Sequence, residues 1–263
     1  MIDIEKAKRE FLNYVKNYDS SSGRIKLKIK HILRVVENSK YIAKELGLDE
    51  EKIRLAELIG IFHDIGRFEQ VRLYDTFSDK DTGLDHAEYS LKVLYEDGLI
   101  SKFIDTSEYD DIIKKAVYNH NKAKIEESIT EENTLLFCKI IRDADKLDIY
   151  RVINEDKMED IFWYKEFKNL KMSNGLMEKF INDRFIKYKD VKNNADLIFV
   201  FYGYIYDFNF PSCFKIIKKE KYLDTFLIRI KETFESEDIT KNTEELLRIC
   251  NEYMDNMLKN KAV

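Results

Sequence analysis

The chain has 263 residues, 44% of them hydrophobic and 36% charged, with a formal net charge of −5. It is long enough to bury a sizeable core in one large or two small domains. Its acidic balance gives no argument for nucleic-acid or anionic-membrane binding and leaves only local basic patches. One proline and eight glycines leave few helix breakers, which predicts an all-α chain.

The three cysteines, Cys138, Cys213 and Cys250, are far apart, odd in number and not arranged as CxxC. They read as reduced, partly buried thiols rather than a disulfide framework or a zinc site. The opening Met-Ile-Asp-Ile-Glu-Lys has charges where a signal peptide needs an apolar run. The longest apolar run, Leu197 to Tyr206, is about half of what a bilayer span needs. The expectation is a cytoplasmic protein with no membrane partner.

Helical spacing of Ile4, Ala7, Phe11, Tyr14, Val15 and Tyr18 predicts a first helix over 2–18, broken by Ser20-Ser21-Ser22-Gly23. A second helix over 25–46 holds His31 and is closed by Gly47. Asp49 is a candidate N-cap for the third, whose apolar stripe is Leu55, Leu58, Ile59 and Phe62. That helix ends in the adjacent pair His63-Asp64, with Gly66 fitting a helix stop. Ala56 and Gly60 form a small-residue row suited to a close approach by a helix or a substrate. Residues 71–84 lack periodicity and read as a loop. Asp85 and Glu88 make a capping-box-like pair that places His86 at the first position of the next helix, which Gly98 ends. A helix from about Ser107 carries His120 on its apolar face. Thr130 is a candidate cap for a segment running to Ile153 and holding Asp143-Ala144-Asp145-Lys146-Leu147-Asp148.

A His-Asp pair alone carries little weight. The chain has only four histidines, however, and each falls on a predicted helix, with an acidic cluster following. Asp143 and Asp145 lie about 200° apart around a helix, so only one of them faces a shared site. Apolarity does not choose between them.

The ordered set His31, His63-Asp64, His86, His120, Asp145 resembles the HD superfamily of metal-dependent phosphohydrolases, in its two-metal variant. The matching stretches are His-Ile-Leu-Arg-Val, Phe-His-Asp-Ile-Gly-Arg, Asp-His-Ala-Glu, Asn-His-Asn and Asp-Ala-Asp-Lys-Leu-Asp, spread over residues 20 to 155. The resemblance implies an all-α HD-domain helical bundle over 20–155, after an N-terminal helix at 1–19. It selects Asp145, which precedes Lys146, as the last ligand and leaves Asp143 and Asp148 either supporting the ligands from behind or, as the preferred reading, at the surface. One metal then takes His31, His63, Asp64 and Asp145; the second takes His86 and His120 and shares Asp64.

Imidazole and carboxylate together suit divalent Mn, Fe, Co, Ni or Zn. Four neutral imidazoles and two carboxylates leave two dications with a net charge of about +2, which attracts an anion. A metal-bridging hydroxide attacking a phosphate ester is the implied chemistry. A nucleotide-like or dinucleotide-like small molecule is the expected substrate. Arg67 and Lys146, with Asp64, are the candidate catalytic residues, placed to meet phosphate; Lys122 and Arg34 are further cations.

The same ligand order also resembles the di-iron oxygenases of the superfamily, and a non-catalytic metal-dependent sensor is a second alternative. The glutamate-aspartate pair of guanosine-polyphosphate hydrolases is absent, since Phe68-Glu69-Gln70 follows Arg67. So is the glycine-tyrosine-proline signature of cyclic-di-GMP hydrolases. Residues 156–263 hold no histidine and are rich in aromatics, among them Trp163, Phe167, Phe180, Phe185, Phe199, Phe201, Tyr202, Tyr204 and Tyr206. They read as a C-terminal helical extension packed on the metal domain, with a buried helix between Asn193 and Phe208.

Overall fold

A computed structural model describes residues 2–162 and 166–259; Trp163 lies outside the described residues. The fold is all-α, with no strand among the described residues. The chain divides into two compact units, Met1–Asp148 and Ile149–Val263.

The first unit contains α1 (Ile4–Val15), α2 (Gly23–Glu45), α3 (Glu50–Phe62), α4 (Arg67–Tyr74), α5 (Asp79–Thr82) and α6 (His86–Leu91). It continues with α7 (Ile100–Phe103), α8 (Asp110–Asn119) and most of α9 (Glu132–Glu155). Short side-chain caps set several starts: Asp49 accepts from Lys52 N at 2.9 Å and Asp85 from Ala87 N at 2.9 Å. Gly47, at φ +69°, closes α2 in the left-handed region open to glycine. Helix α3 is buried almost all round, with Ile53, Leu55, Ala56, Leu58, Ile59, Ile61 and Phe62 in the core.

Three tertiary joints bring the ends of these helices to one place. At Gly60, a Cβ would stand 3.1 Å from Val36 Cα, so this glycine lets α2 and α3 cross closely. Its role is helix packing rather than substrate access. At Gly66, a Cβ would fall 2.5 Å from Ser90 N. Only glycine allows that approach, and Gly66 N donates to Ser90 Oγ at 3.0 Å. Ser90 Oγ in turn shares its proton between the carbonyls of His63, at 3.0 Å, and His86, at 2.9 Å. The third joint is the buried Arg142 on α9, whose Nη1 donates to the carbonyls of Asn119 at 2.9 Å and Lys122 at 2.5 Å. It satisfies the orphan acceptors where α8 ends.

Helix α3 stops at Phe62, shortly before Gly66, as expected. Two details depart from the sequence reading. The chain resumes after Gly66 as α4 through Tyr74, so the expected loop over 71–84 is partly helical, with the extra turn α5 capped by Ser78. The N-terminal turn of α9 is held by the Glu131 carboxylate, which accepts from Thr134 N at 2.5 Å and Asn133 N at 2.9 Å, and not by Thr130.

The second unit contains the rest of α9, then α10 (Met158–Ile161), α11 (Leu176–Asp183), α12 (Asn194–Gly203), α13 (Pro211–Lys219), α14 (Tyr222–Phe234) and α15 (Glu237–Lys259). Helix α12 is the expected buried helix, with residues 194–202 all in the core and Asn193 as its cap. Edge-to-face pairs such as Phe201–Phe226, at 5.7 Å, pack around it. All three cysteines are buried and unbridged. No described helix is long and apolar enough to cross a membrane.

Candidate metal centre

The six side chains singled out in the sequence converge. His31 comes from the middle of α2, His63 and His120 from the ends of α3 and α8, His86 from the first position of α6, and Asp145 from α9. Asp64 sits between two histidine pairs. Its Oδ2 lies 3.5 Å from His31 Nε2 and 3.6 Å from His63 Nε2, while its Oδ1 lies 3.5 Å from His86 Nε2 and 3.6 Å from His120 Nε2. Within each pair the Nε2 atoms are close, at 3.2 Å for His31–His63 and 3.1 Å for His86–His120. Asp145 Oδ1 joins the first pair, 3.2 Å from His31 Nε2 and 3.9 Å from His63 Nε2.

The other ring nitrogen of every histidine is held from behind. His63 Nδ1 meets Gly60 O at 2.8 Å and His120 Nδ1 meets Val117 O at 2.6 Å. A carbonyl only accepts, so these Nδ1 atoms carry a proton, and Nε2 is the atom each ring turns to the site. His31 Nδ1 lies 2.7 Å from Asp148 Oδ2, and His86 Nδ1 lies 2.5 Å from Asp79 Oδ2.

Charge and burial sharpen the arrangement. Burial drives His63 down to about 3, against the pull of Asp64 and Asp145, so it stays neutral. Burial also lowers His86 despite its bond to Asp79. His31 goes the other way. Burial and Lys28 disfavour its cation, but hydrogen bonds to Asp145, Asp148 and Asp64 outweigh them and raise it to about 10. Burial penalises the Asp64 carboxylate, yet Lys28 and the surrounding imidazoles hold it well below the usual range. Its Oδ1 is buried without a hydrogen-bond partner. An orphaned carboxylate oxygen facing two imidazole nitrogens is unfavourable unless a cation lies among them. The nitrogen and oxygen donors fit a borderline divalent metal.

Residues 29–150 match the family model for the HD domain. These residues therefore form an HD domain. No curated protein and no solved structure matches it. The HD superfamily is one of metal-dependent phosphohydrolases, and its domains bind divalent metals.

The cations around the HD site differ in what they already hold. Arg67 is no solvated surface charge: its Nη1 donates to Gln70 Oε1 at 2.6 Å, Phe77 O at 2.5 Å and Asp79 Oδ1 at 2.7 Å. Its Nε is buried without a hydrogen-bond partner, 3.7 Å from Asp64 Oδ1. Lys146 is buried, about 100° around α9 from Asp145. Lys122 forms an ion pair with Asp85, and Arg34 pairs with Asp148 at 2.6 Å. These two support caps and orienting groups rather than facing a ligand.

Three members of the site were missed or misread in the sequence. Lys28 Nζ stands 2.6 Å from Asp64 Oδ2 and 5.0 Å from the Phe77 ring centroid. Its position one helical turn before His31 was the available signal. Asp79 lay in the stretch read as a loop. Asp148, for which the surface was preferred over a supporting role behind the ligands, is buried and takes that supporting role; Asp143, outside the site's contacts given above, is buried too. Asp148 is drawn inward because His31 Nδ1 and Arg34 both need an acceptor there.

Proposed function

We infer that this HD protein is a metal-dependent phosphohydrolase that holds two divalent cations. One would be bound by His31, His63, Asp64 and Asp145 and the other by His86, His120 and the shared Asp64. The observation that carries this reading is the placement of Asp64, whose Oδ2 faces the His31–His63 pair and whose Oδ1 faces the separate His86–His120 pair at closely similar distances. A single-metal site would need only one pair. Two bound dications supply activation of water and stabilisation of phosphate oxygens.

The chain's own residues divide the remaining work. Gly60 O, Val117 O, Asp79 and Asp148 hold the four rings in the tautomer that offers Nε2 to the site. Lys28 offsets the charge of Asp64. Arg67 Nε, buried and unbonded beside Asp64, is the donor left over for a phosphate oxygen. Lys146 serves as a further cation for the substrate. The substrate is a phosphate ester of nucleotide or dinucleotide type. Residues 20–155 act as the hydrolase domain, following the 1–19 helix, and 156–263 as a helical extension. Three buried, unbridged thiols support residence in the reducing cytoplasm.

The test is a hydrolysis panel with the Mn²⁺-reconstituted protein, spanning aryl phosphates, nucleotides and dinucleotides, with Arg67→Ala alongside. Turnover of a nucleotide-like ester, lost on chelation and with kcat/KM lowered in the variant, is the expected result. No phosphate release from any ester, with oxygen uptake by an iron-loaded protein, would replace this reading.

A further inference from the structure

Away from the HD domain, residues 181–189, Ile-Asn-Asp-Arg-Phe-Ile-Lys-Tyr-Lys, form a run in which every residue except Ile186 is exposed. Ile181 is 50% exposed, Phe185 56% and Tyr188 55%. Among the described residues, the other large exposed apolar side chains are single in sequence or form one adjacent pair, which needs no explanation. Three within eight residues do.

The run is held in place. Phe180 and Ile186 are buried on either side of Phe185, and the Arg184 guanidinium lies 5.3 Å from the Tyr206 ring centroid and 5.5 Å from that of Tyr253. Tyr188 Oη meets Tyr204 Oη at 2.8 Å. Arg184 adopts φ +56°, turning the chain sharply after α11. The exposed side chains are therefore presented by a fixed scaffold.

The charge around them is opposite to that of the whole chain. Between residues 179 and 192 there are five basic side chains, Lys179, Arg184, Lys187, Lys189 and Lys192, against two acidic ones, Asp183 and Asp190, in a chain of net charge −5. Lys179 is spent on Asp190 and Arg184 on the two tyrosine rings. Lys187, Lys189 and Lys192 are exposed and form no salt bridge among the described residues.

We propose that this surface docks the protein reversibly onto an anionic lipid bilayer, with Ile181 and Phe185 entering the headgroup boundary and Lys187, Lys189 and Lys192 meeting lipid phosphates. An aliphatic side chain gains nothing from base stacking but does gain from burial at a lipid boundary. Tyrosine suits the interface itself, and lysines keep their ammonium groups at headgroup level while their stems lie along the apolar layer. Each lysine near such a surface strengthens binding by on the order of fivefold. The proposal stands independently of the reaction assigned to the HD site.

The test is co-sedimentation of the full-length protein with vesicles of phosphatidylcholine alone and of phosphatidylcholine containing about one third phosphatidylserine. Expected is at least about tenfold stronger binding to the anionic vesicles, weakened by salt. Phe185→Ala should lower it by about fivefold, and Lys187→Glu with Lys189→Glu should abolish the lipid preference. Both variants should keep the wild-type thermal midpoint, and Lys192→Glu provides an independent charge variant. Equal sedimentation with both vesicles, none with either, or unaffected variants would overturn the proposal. Binding to poly-uridine RNA without vesicle binding, or dimerisation lost in Phe185→Ala without vesicle binding, would overturn it in favour of those partners.

Discussion

His31 Nδ1 and Asp148 Oδ2 stand 2.7 Å apart, and this contact fixes which nitrogen of His31 faces the site. Asp148 is itself buried and paired with Arg34, so the ring is oriented by a charged group with no freedom to move away. Asp148→Asn should lower metal affinity at the His31–His63 half of the site by about 10- to 100-fold while leaving the helical circular dichroism unchanged. A Mn²⁺ titration followed by calorimetry reads this directly. Unaltered affinity would reduce Asp148 to a packing role.

Asp79 plays the matching part for His86, and it also takes the guanidinium of Arg67. Asp79→Asn is expected to weaken the second half-site selectively, so that metal titration shows one tight and one weakened equivalent. Equal weakening of both would mean that residues 75–85 support the whole centre rather than His86 alone.

The Gly66–Ser90 approach leaves no room for a methyl group, since a Cβ would meet backbone at 2.5 Å. Gly66→Ala should destabilise the HD unit by about 1–3 kcal/mol, visible as a lower thermal midpoint, and should shift His86 relative to Asp64. A wild-type midpoint would show that α6 moves away without cost.

Metal affinity should rise steeply with pH. His31 is raised to about 10 in the metal-free protein, so at neutral pH a proton occupies a ligand position and must leave when metal binds. Affinity then increases by up to about tenfold per pH unit, from neutrality to about pH 10. For the metal-free fold the sign is reversed. The stability contributed by His31 is complete below its unfolded pKa of 6.5 and is lost as pH rises through about 10. That of Asp64 is present above 3.8 and is lost as pH falls through its depressed value. Binding constants measured between pH 6 and 8 that show no trend would contradict the protonated His31.

The six converging donors were legible because histidine is scarce in this chain and each occurrence fell on a helix end or an apolar helix face. The caps at Asp49 and Asp85 and the buried α12 followed from local chemistry for the same reason. Lys28, Asp79 and Asp148 were harder to read. Lysine and aspartate are abundant here, and what distinguishes these three is the partner each meets across the fold, which periodicity does not encode. The loop assigned to 71–84 failed because α4 is short and weakly amphipathic, and tertiary bonds from Arg67 and Gln70 order it. Gly66 has the composition of a stop, yet its close contact with Ser90 is what makes it necessary.

The most direct test of the two-cation centre is elemental metal analysis, per chain, of the protein as purified and after Mn²⁺ reconstitution. The geometry of Asp64 predicts about two equivalents, both lost together in Asp64→Ala. One equivalent, unchanged in number by His86→Ala or His120→Ala, would contradict the shared carboxylate and leave a single-metal HD site at His31, His63, Asp64 and Asp145.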